Sequence, residues 1–245
     1  MKAKVTIAYD GSRFFGSQPL NKNGKTVLPT ALSVFEDALK GVGIFSAVAQ
    51  AGRTDRFVHA RGQVFGFSLP DFWTNAEPLK AELDKKLYPS ILIRKIEIVG
   101  DDFHPRFSAK SRVYRYLITA NRPSIFTARY IAYAPDFDLI KAKEAIAQFI
   151  GAKDFYHFSK RGSDEKTTIR SIRAANVRKF GAIYIATFEG DSFLRSQVRL
   201  MMAAVLKIAA GKAELTDISD QFAGKSARFR NPAPAEGLYL AEIRY

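Results

Sequence analysis

The chain has 245 residues, with 38 Lys and Arg against 24 Asp and Glu, a formal charge of +14, 47% hydrophobic residues and no cysteine. This length and apolar content build a sizeable core, as one large domain or two small ones, and exclude a disordered chain. Without Cys there is no disulfide frame or thiolate site. The three histidines, His59, His104 and His157, lack ligand spacing, so no metal is expected. No apolar run approaches the roughly 18 residues of a membrane span and no signal-peptide pattern opens the chain, so the expected compartment is cytoplasmic.

Val5, Ile7 and Tyr9 alternate along Lys4 to Asp10 with the period of a strand. A turn follows, Tyr9-Asp10-Gly11-Ser12-Arg13-Phe14-Phe15-Gly16-Ser17-Gln18. Leu32, Phe35 and Leu39 recur at helical spacing across Thr30 to Lys40, with Gly41 as the stop. Two apolar runs, Ile44 to Ala49 and Gln63 to Leu69, read as strands. In the second, Phe65, Phe67 and Leu69 share one face, while Gly66 and Ser68 leave the other open to close approach by another chain or a ligand. A helix with Pro78 in its first turn is expected over Asn75 to Leu87, then a strand over Ile91 to Val99. The order β-α-β-β-α-β is the split-βαβ pattern, an antiparallel sheet with helices on one side. RNA-binding modules share this topology. The stretch Arg61 to Ser68, however, lacks their aromatic residue at Gln63 and their small residue at Val64, and strand packing explains it better.

Between the two central strands lies the decapeptide Ala51-Gly52-Arg53-Thr54-Asp55-Arg56-Phe57-Val58-His59-Ala60. Gly52 permits a turn that a Cβ would obstruct, and Thr54 and Asp55 can bond local backbone groups. Arg53 and Arg56 set two cations close to the Asp55 carboxylate, which favours its ionised form. Such a carboxylate is a candidate nucleophile or base, and equally a candidate turn-former.

After Asp101-Asp102 the pattern begins again, dividing the chain into domains 1–102 and 103–245. Strands are expected over Arg112 to Thr119 and Arg129 to Tyr133, joined by the turn Asn121-Arg122-Pro123, and a helix over Asp138 to Ile150 closed by Gly151. A hairpin pairs Ile172 to Val177 with Ile183 to Phe188. Ser192 is the expected cap of a long helix from Phe193 to Ala210, and Gly237 to Ile243 is the last strand. The fold class is therefore α+β, two split-βαβ (ferredoxin-like) units with antiparallel sheets.

From Phe103 to Pro135 six cations (Arg106, Lys110, Arg112, Arg115, Arg122, Arg129) stand among aromatic residues with no Asp or Glu. Cations beside rings suit RNA phosphates and unstacked bases together; a strand pair with an aromatic core and a solvated basic face would read the same way. On the long helix, Arg195 and Arg199 are four apart. Arg195 falls in the expected first turn, where a cation opposes the helix dipole by roughly 0.3–1 kcal/mol. It either has a partner, such as RNA phosphate or a carboxylate, or is simply solvated.

Gly52-Arg53-Thr54-Asp55 followed by Val58-His59-Ala60 resembles the active-site loop of the tRNA pseudouridine synthase A family. The Tyr9 to Gln18 turn, Phe103 to Ala109 leading into Tyr114-Arg115-Tyr116, Phe193 through Val198-Arg199, and Ala235 to Leu240 resemble further motifs of that family, in the same order. The resemblance implies a pseudouridine synthase fold and a cofactor-free isomerisation of uridine to pseudouridine in the anticodon stem-loop of tRNA. It implies Asp55 as nucleophile, Tyr114 stacking on the base and serving in C5 proton removal, and Arg199 pairing with Asp55. Arg53 would steady the flipped nucleotide or its vacated position in the stack, and the protein would be a homodimer sharing one tRNA. Several positions depart from the pattern. The family often has an aromatic residue where Ser17 stands, and two His where Arg195-Ser196 stand. It also has an Asn where Leu200 stands, and a small residue and Gly where Arg56-Phe57 stand. A Phe is disfavoured at the positive φ a Gly may supply, so the loop either has another shape here or does without the glycine. A non-catalytic RNA-binding protein on the same fold is the alternative. Asp55 argues against it, since a carboxylate adds nothing to phosphate binding.

Overall fold

Ala3, Val5, Ile7 and Tyr9 of strand β1 (Lys2–Tyr9) all point into the core, as their alternation dictates. The computed structural model describes residues 1–18, 21–22, 25–26, 28–160 and 166–245. It falls into two compact units, 1–110 with 239–245, and 111–238, whereas the sequence reading divides the chain after Asp102.

In the first unit β1 is followed by the short pair β2 (Asn21–Lys22) and β3 (Lys25–Thr26), helix α1 (Ala31–Lys40), β4 (Ala49–Gln50), β5 (His59–Ser68), α2 (Ala76–Leu87) and β6 (Ile91–Val99). Thr30 caps α1 by accepting the Ser33 N–H, and Asn75 caps α2 by accepting that of Glu77. The strands pair antiparallel in the order β6-β1-β5-β4, with Val5 between Phe65 and Ile96. This fourth-first-third-second order is the split-βαβ topology. Phe35 of α1 lies edge-on to Phe65 at 4.9 Å, so the face shared by Phe65 and Phe67 packs on the helix. The strand expected from Ile44 is reduced to two residues. Gly43 turns the chain at φ 80°, Ile44 drops into the core, and Phe45 faces solvent. Nor does the Gly66 face await another chain or ligand: a Cβ there would lie 3.0 Å from Pro105, so Phe103 and Pro105 already cover it.

The second unit runs β7 (Ser111–Thr119), β8 (Ala132–Tyr133), α3 (Leu139–Ala147), β9 (Gly151–Asp154), β10 (Ile169–Phe180), β11 (Ile183–Gly190), α4 (Gln197–Ala209) and α5 (Thr216–Phe222). Its strands pair antiparallel in the order β7-β11-β10-β9, and β8 adds to β7 in parallel. The last strand, β12 (Leu238–Arg244), pairs in parallel with β5 through Tyr239 and Leu240. The α+β class with antiparallel sheets is as expected, but several boundaries move. Gly151, at φ 103°, opens β9 instead of capping α3. The strand expected from Arg129 shrinks to β8 because Tyr130 N–H bonds back to Thr127 O in a turn. Ser192 does not cap the long helix: residues 193–196 lie outside it, and Ser196 sits at its head with φ 58°.

Candidate active site

Asp55 sits in the loop between β4 and β5, and the residues around it are fastened one by one. Ala51 N–H donates to Val64 O at 2.9 Å, and Gln63 Nε2 donates to Gly52 O at 2.7 Å from a fully buried position. Thr54 and Ser17 exchange two bonds: Thr54 N–H to Ser17 Oγ at 2.9 Å, and Ser17 N–H to Thr54 O at 3.1 Å. The Tyr9 hydroxyl meets Thr54 Oγ1 at 2.7 Å, and burial pushes the Tyr9 pKa up to about 12, which keeps that hydroxyl neutral. Val58 N–H closes the turn on Asp55 O at 3.1 Å. Asp55 is thereby held half-buried, with exposed Arg53 and Arg56 on either side in the chain.

The turn after β1 is the floor under this loop. A Cβ on Gly11 would lie 2.1 Å from Val58 O, and one on Gly16 would lie 3.0 Å from Thr54 O. Gly11 N–H donates to His59 Nδ1 at 3.0 Å, which makes that nitrogen an acceptor, and the His59 ring stacks on Tyr239 at 4.6 Å. No side chain longer than hydrogen fits either glycine position without moving the backbone that carries Asp55.

The other expected site residues belong to the second unit. Tyr114 lies in β7, buried, with its ring edge-on to Phe193 at 5.0 Å. Arg199 is half-buried in α4; its Nε donates to Ala233 O at 2.8 Å while Ala233 N–H donates to Arg199 O at 2.9 Å. Arg195 is exposed and precedes α4, so neither the dipole penalty nor a shared helix face with Arg199 applies to it. Its carbonyl accepts the Lys160 N–H at 3.0 Å. The basic aromatic stretch is also divided. Arg112 is buried and donates to Asp191 O, and Tyr116 is buried and donates to Pro234 O, whereas Phe107, Phe126, Tyr130 and Tyr133 are exposed. Among the described residues no cluster of His, Asp and Glu could hold a metal, and no helix is long and apolar enough to cross a membrane.

A family model for tRNA pseudouridine synthase matches residues 145–245. The tRNA pseudouridine synthase A of Campylobacter jejuni (strain RM1221) is 41% identical over 247 residues, covering 100% of both chains. That of Wolinella succinogenes is 37% identical over 98% of this chain and 92% of its own. That of Helicobacter pylori (strain ATCC 700392 / 26695) is 40% identical over 99% of this chain and 98% of its own. The chain belongs to the tRNA pseudouridine synthase A family.

With the family established, its departures acquire physical form. Phe57 takes the positive φ after all, at 66°, so the loop keeps a left-handed step without glycine. A bulky side chain there costs roughly 1–2 kcal/mol in backbone strain. Arg56 lies over two rings, 4.3 Å from the centre of Phe15 and 4.6 Å from that of Phe57. Ser17, where the family often has an aromatic residue, is one of the loop's fasteners. Leu200, in place of the family's Asn, is core.

Tyr9, Ser17 and Gln63 were not assigned roles from the sequence. Tyr9 and Ser17 stood inside a recognised motif, but their target is more than thirty residues away in the chain. The available signal was Gln63, an amide amid the apolar run of a central strand, which needs a partner when buried.

Proposed function

We propose that this protein converts uridine to pseudouridine in tRNA, with the Asp55 carboxylate as nucleophile. The observation that carries this reading is the Asp55 loop itself. It presents one half-buried carboxylate, with the backbone before it bonded to Ser17 and Gln63, in a chain of this family. Such pre-organisation suits attack on a positioned carbon. Asp55 adds at C1′ of the ribose or at C6 of the ring. Either way the C1′–N1 bond breaks, the uracil turns and C5 joins C1′. The Asp55–carbon bond breaks in turn, displaced at C1′ by C5 or eliminated from C6, which frees the carboxylate as the C5 proton leaves and N1 gains one. Bonds are exchanged within one nucleotide, so no oxidant or reductant enters the balance.

The target uridine has to leave its stack, at a cost of a few kcal/mol, and be received by aromatic and basic groups. We assign Tyr114 to stacking on the uracil and to the C5 proton, Arg199 to the charge around the reacting centre, Arg53 to the flipped nucleotide or the gap it leaves, and Arg195 to RNA phosphate. The role of Arg195, where the family often has His, rests on its exposed cation; the other three rest on the motif matches around each residue. On the same ground we place the target in the anticodon stem-loop and take the working protein as a cytoplasmic homodimer on one tRNA. The +14 charge suits that partner.

Incubating bulk unmodified tRNA with the protein and mapping new pseudouridines tests the reading directly. Tritium release from C5-labelled tRNA should accompany the product in wild type and fall to background in Asp55→Asn, with tRNA affinity equal or slightly higher. No product on any tRNA would overturn the activity; near wild-type release from Asp55→Asn would remove Asp55 as nucleophile.

A further inference from the structure

Arg56 is exposed, directly follows Asp55, and is held without using its hydrogen-bond donors. Its guanidinium carbon lies 4.3 Å from the Phe15 ring centre and 4.6 Å from the Phe57 ring centre, yet among the described residues none of its N–H groups has a hydrogen-bond partner. Cation–ring contacts restrain the side chain and leave the planar N–H edge available. The second ring comes from the strained residue: glycine would meet the φ of 66° at Phe57 freely but has no ring to offer. Backbone strain that persists beside a reactive group is a reason to look for function there.

The carboxylate next to it poses an electrostatic problem that Arg56 is placed to answer. RNA brought to Asp55 carries a phosphate on each side of the target nucleotide, and each is repelled by the carboxylate. A restrained guanidinium one residue along the loop offsets that repulsion and offers paired donors that match a phosphodiester.

We propose that Arg56 is a phosphate-binding residue of the reaction site, clamped by Phe15 and Phe57 to receive the RNA backbone beside the target uridine. The inference rests on the proposed reading of the Asp55 loop as the RNA-modifying site. Its placement by the rings predicts that charge and clamp contribute separately. Charge sets the salt dependence of RNA binding, and the clamp sets affinity at a given salt.

The test is filter binding of unmodified tRNA to wild type, Arg56→Gln, Arg56→Lys and Phe57→Gly across about 50 to 200 mM salt, with thermal melts of each. Arg56→Gln should lower the steepness of log affinity against log salt by about 0.7–0.9, the share of one phosphate contact. Arg56→Lys and Phe57→Gly keep the charge and should keep the wild-type slope while binding severalfold more weakly. A wild-type slope in Arg56→Gln overturns the phosphate contact, and wild-type affinity in both Arg56→Lys and Phe57→Gly overturns the clamp. Pseudouridine formation is read separately on the wild type. A slope change in a protein that makes no product keeps the contact and overturns the reaction, while product with an unchanged slope in Arg56→Gln overturns the contact alone.

Discussion

Two short stretches carry the expected site residues other than Tyr114 of β7, and they are built differently. The Asp55 loop of the first unit is fastened by side chains (Tyr9, Ser17 and Gln63) and rests on a floor of two glycines. The approach to α4 in the second unit, which carries Arg195 and Arg199, has bonds that each end on the main chain, two of them main chain at both ends. Lys160 N–H bonds Arg195 O, Leu194 N–H bonds Gln197 Oε1, and Arg199 and Ala233 exchange two bonds. Each stretch contains a left-handed residue that is not glycine, Phe57 in one and Ser196 in the other. Small polar residues near a helix start tolerate that conformation better than a bulky ring in a loop does. The loop therefore stores more strain and relies on more distant partners, so it should be the more sensitive of the two to single substitutions.

The largest effect should come from the floor. Gly11→Ala places a methyl 2.1 Å from the Val58 carbonyl, a backbone atom that cannot swing aside. We expect a stability loss of about 3 kcal/mol or more, read as a lower denaturation midpoint, with activity lost alongside. A loss below about 1 kcal/mol would mean the loop does not lean on that turn.

Tyr9→Phe should cost less, about 1–2 kcal/mol, because Thr54 Oγ1 keeps its burial and loses its partner. It should also change the alkaline limb. The folded Tyr9 pKa is about 12 against an ordinary 10, so between those values the folded state keeps a proton that the unfolded chain releases. That contribution is whole below pH 10 and is lost as pH rises through 12. Burial of Tyr116 raises its pKa in the same direction, so wild type should lose stability above pH 10 and the variant should lose less. Parallel alkaline limbs would show that Tyr9 is not held protonated.

Periodicity made much of this legible. Val5, Ile7 and Tyr9 gave β1, Leu32, Phe35 and Leu39 gave α1, and Ile91 to Val99 gave β6 residue for residue. What escaped was short or set by tertiary contact. β9 spans only Gly151–Asp154 and α5 only Thr216–Phe222, too few residues to show a period. The start of α4 depended on a left-handed Ser196, for which a serine gives no local warning. In the site, the Asp55 motif was visible as a stretch of chain, whereas the fasteners act across long separations. Tyr9 and Thr54 are 45 residues apart, Ser17 and Thr54 37, and the sequence alone does not say which buried hydroxyl meets which.

The smallest effect isolates the strain itself. At ordinary backbone angles alanine is more stable than glycine by roughly 0.5–1 kcal/mol, because glycine loses more freedom on folding. In the left-handed region an L side chain carries a penalty of roughly 1–2 kcal/mol, so the order should reverse. Phe57→Gly should therefore be more stable than Phe57→Ala by about 0.5–1 kcal/mol, and Ser196→Gly more stable than Ser196→Ala by a similar amount. The two positions should part when each is compared with wild type. Removing the Phe57 ring also removes a contact with Arg56 worth about 0.5–1 kcal/mol at an exposed site, so relief and loss nearly cancel in Phe57→Gly. Ser196 offers no ring to a neighbouring cation, so the offset that holds Phe57→Gly near wild type does not apply to Ser196→Gly. Denaturant titrations of the four variants decide it. Alanine matching glycine at position 57 would show that the loop relaxes out of the left-handed step, and that the strain assigned to Phe57 is absent.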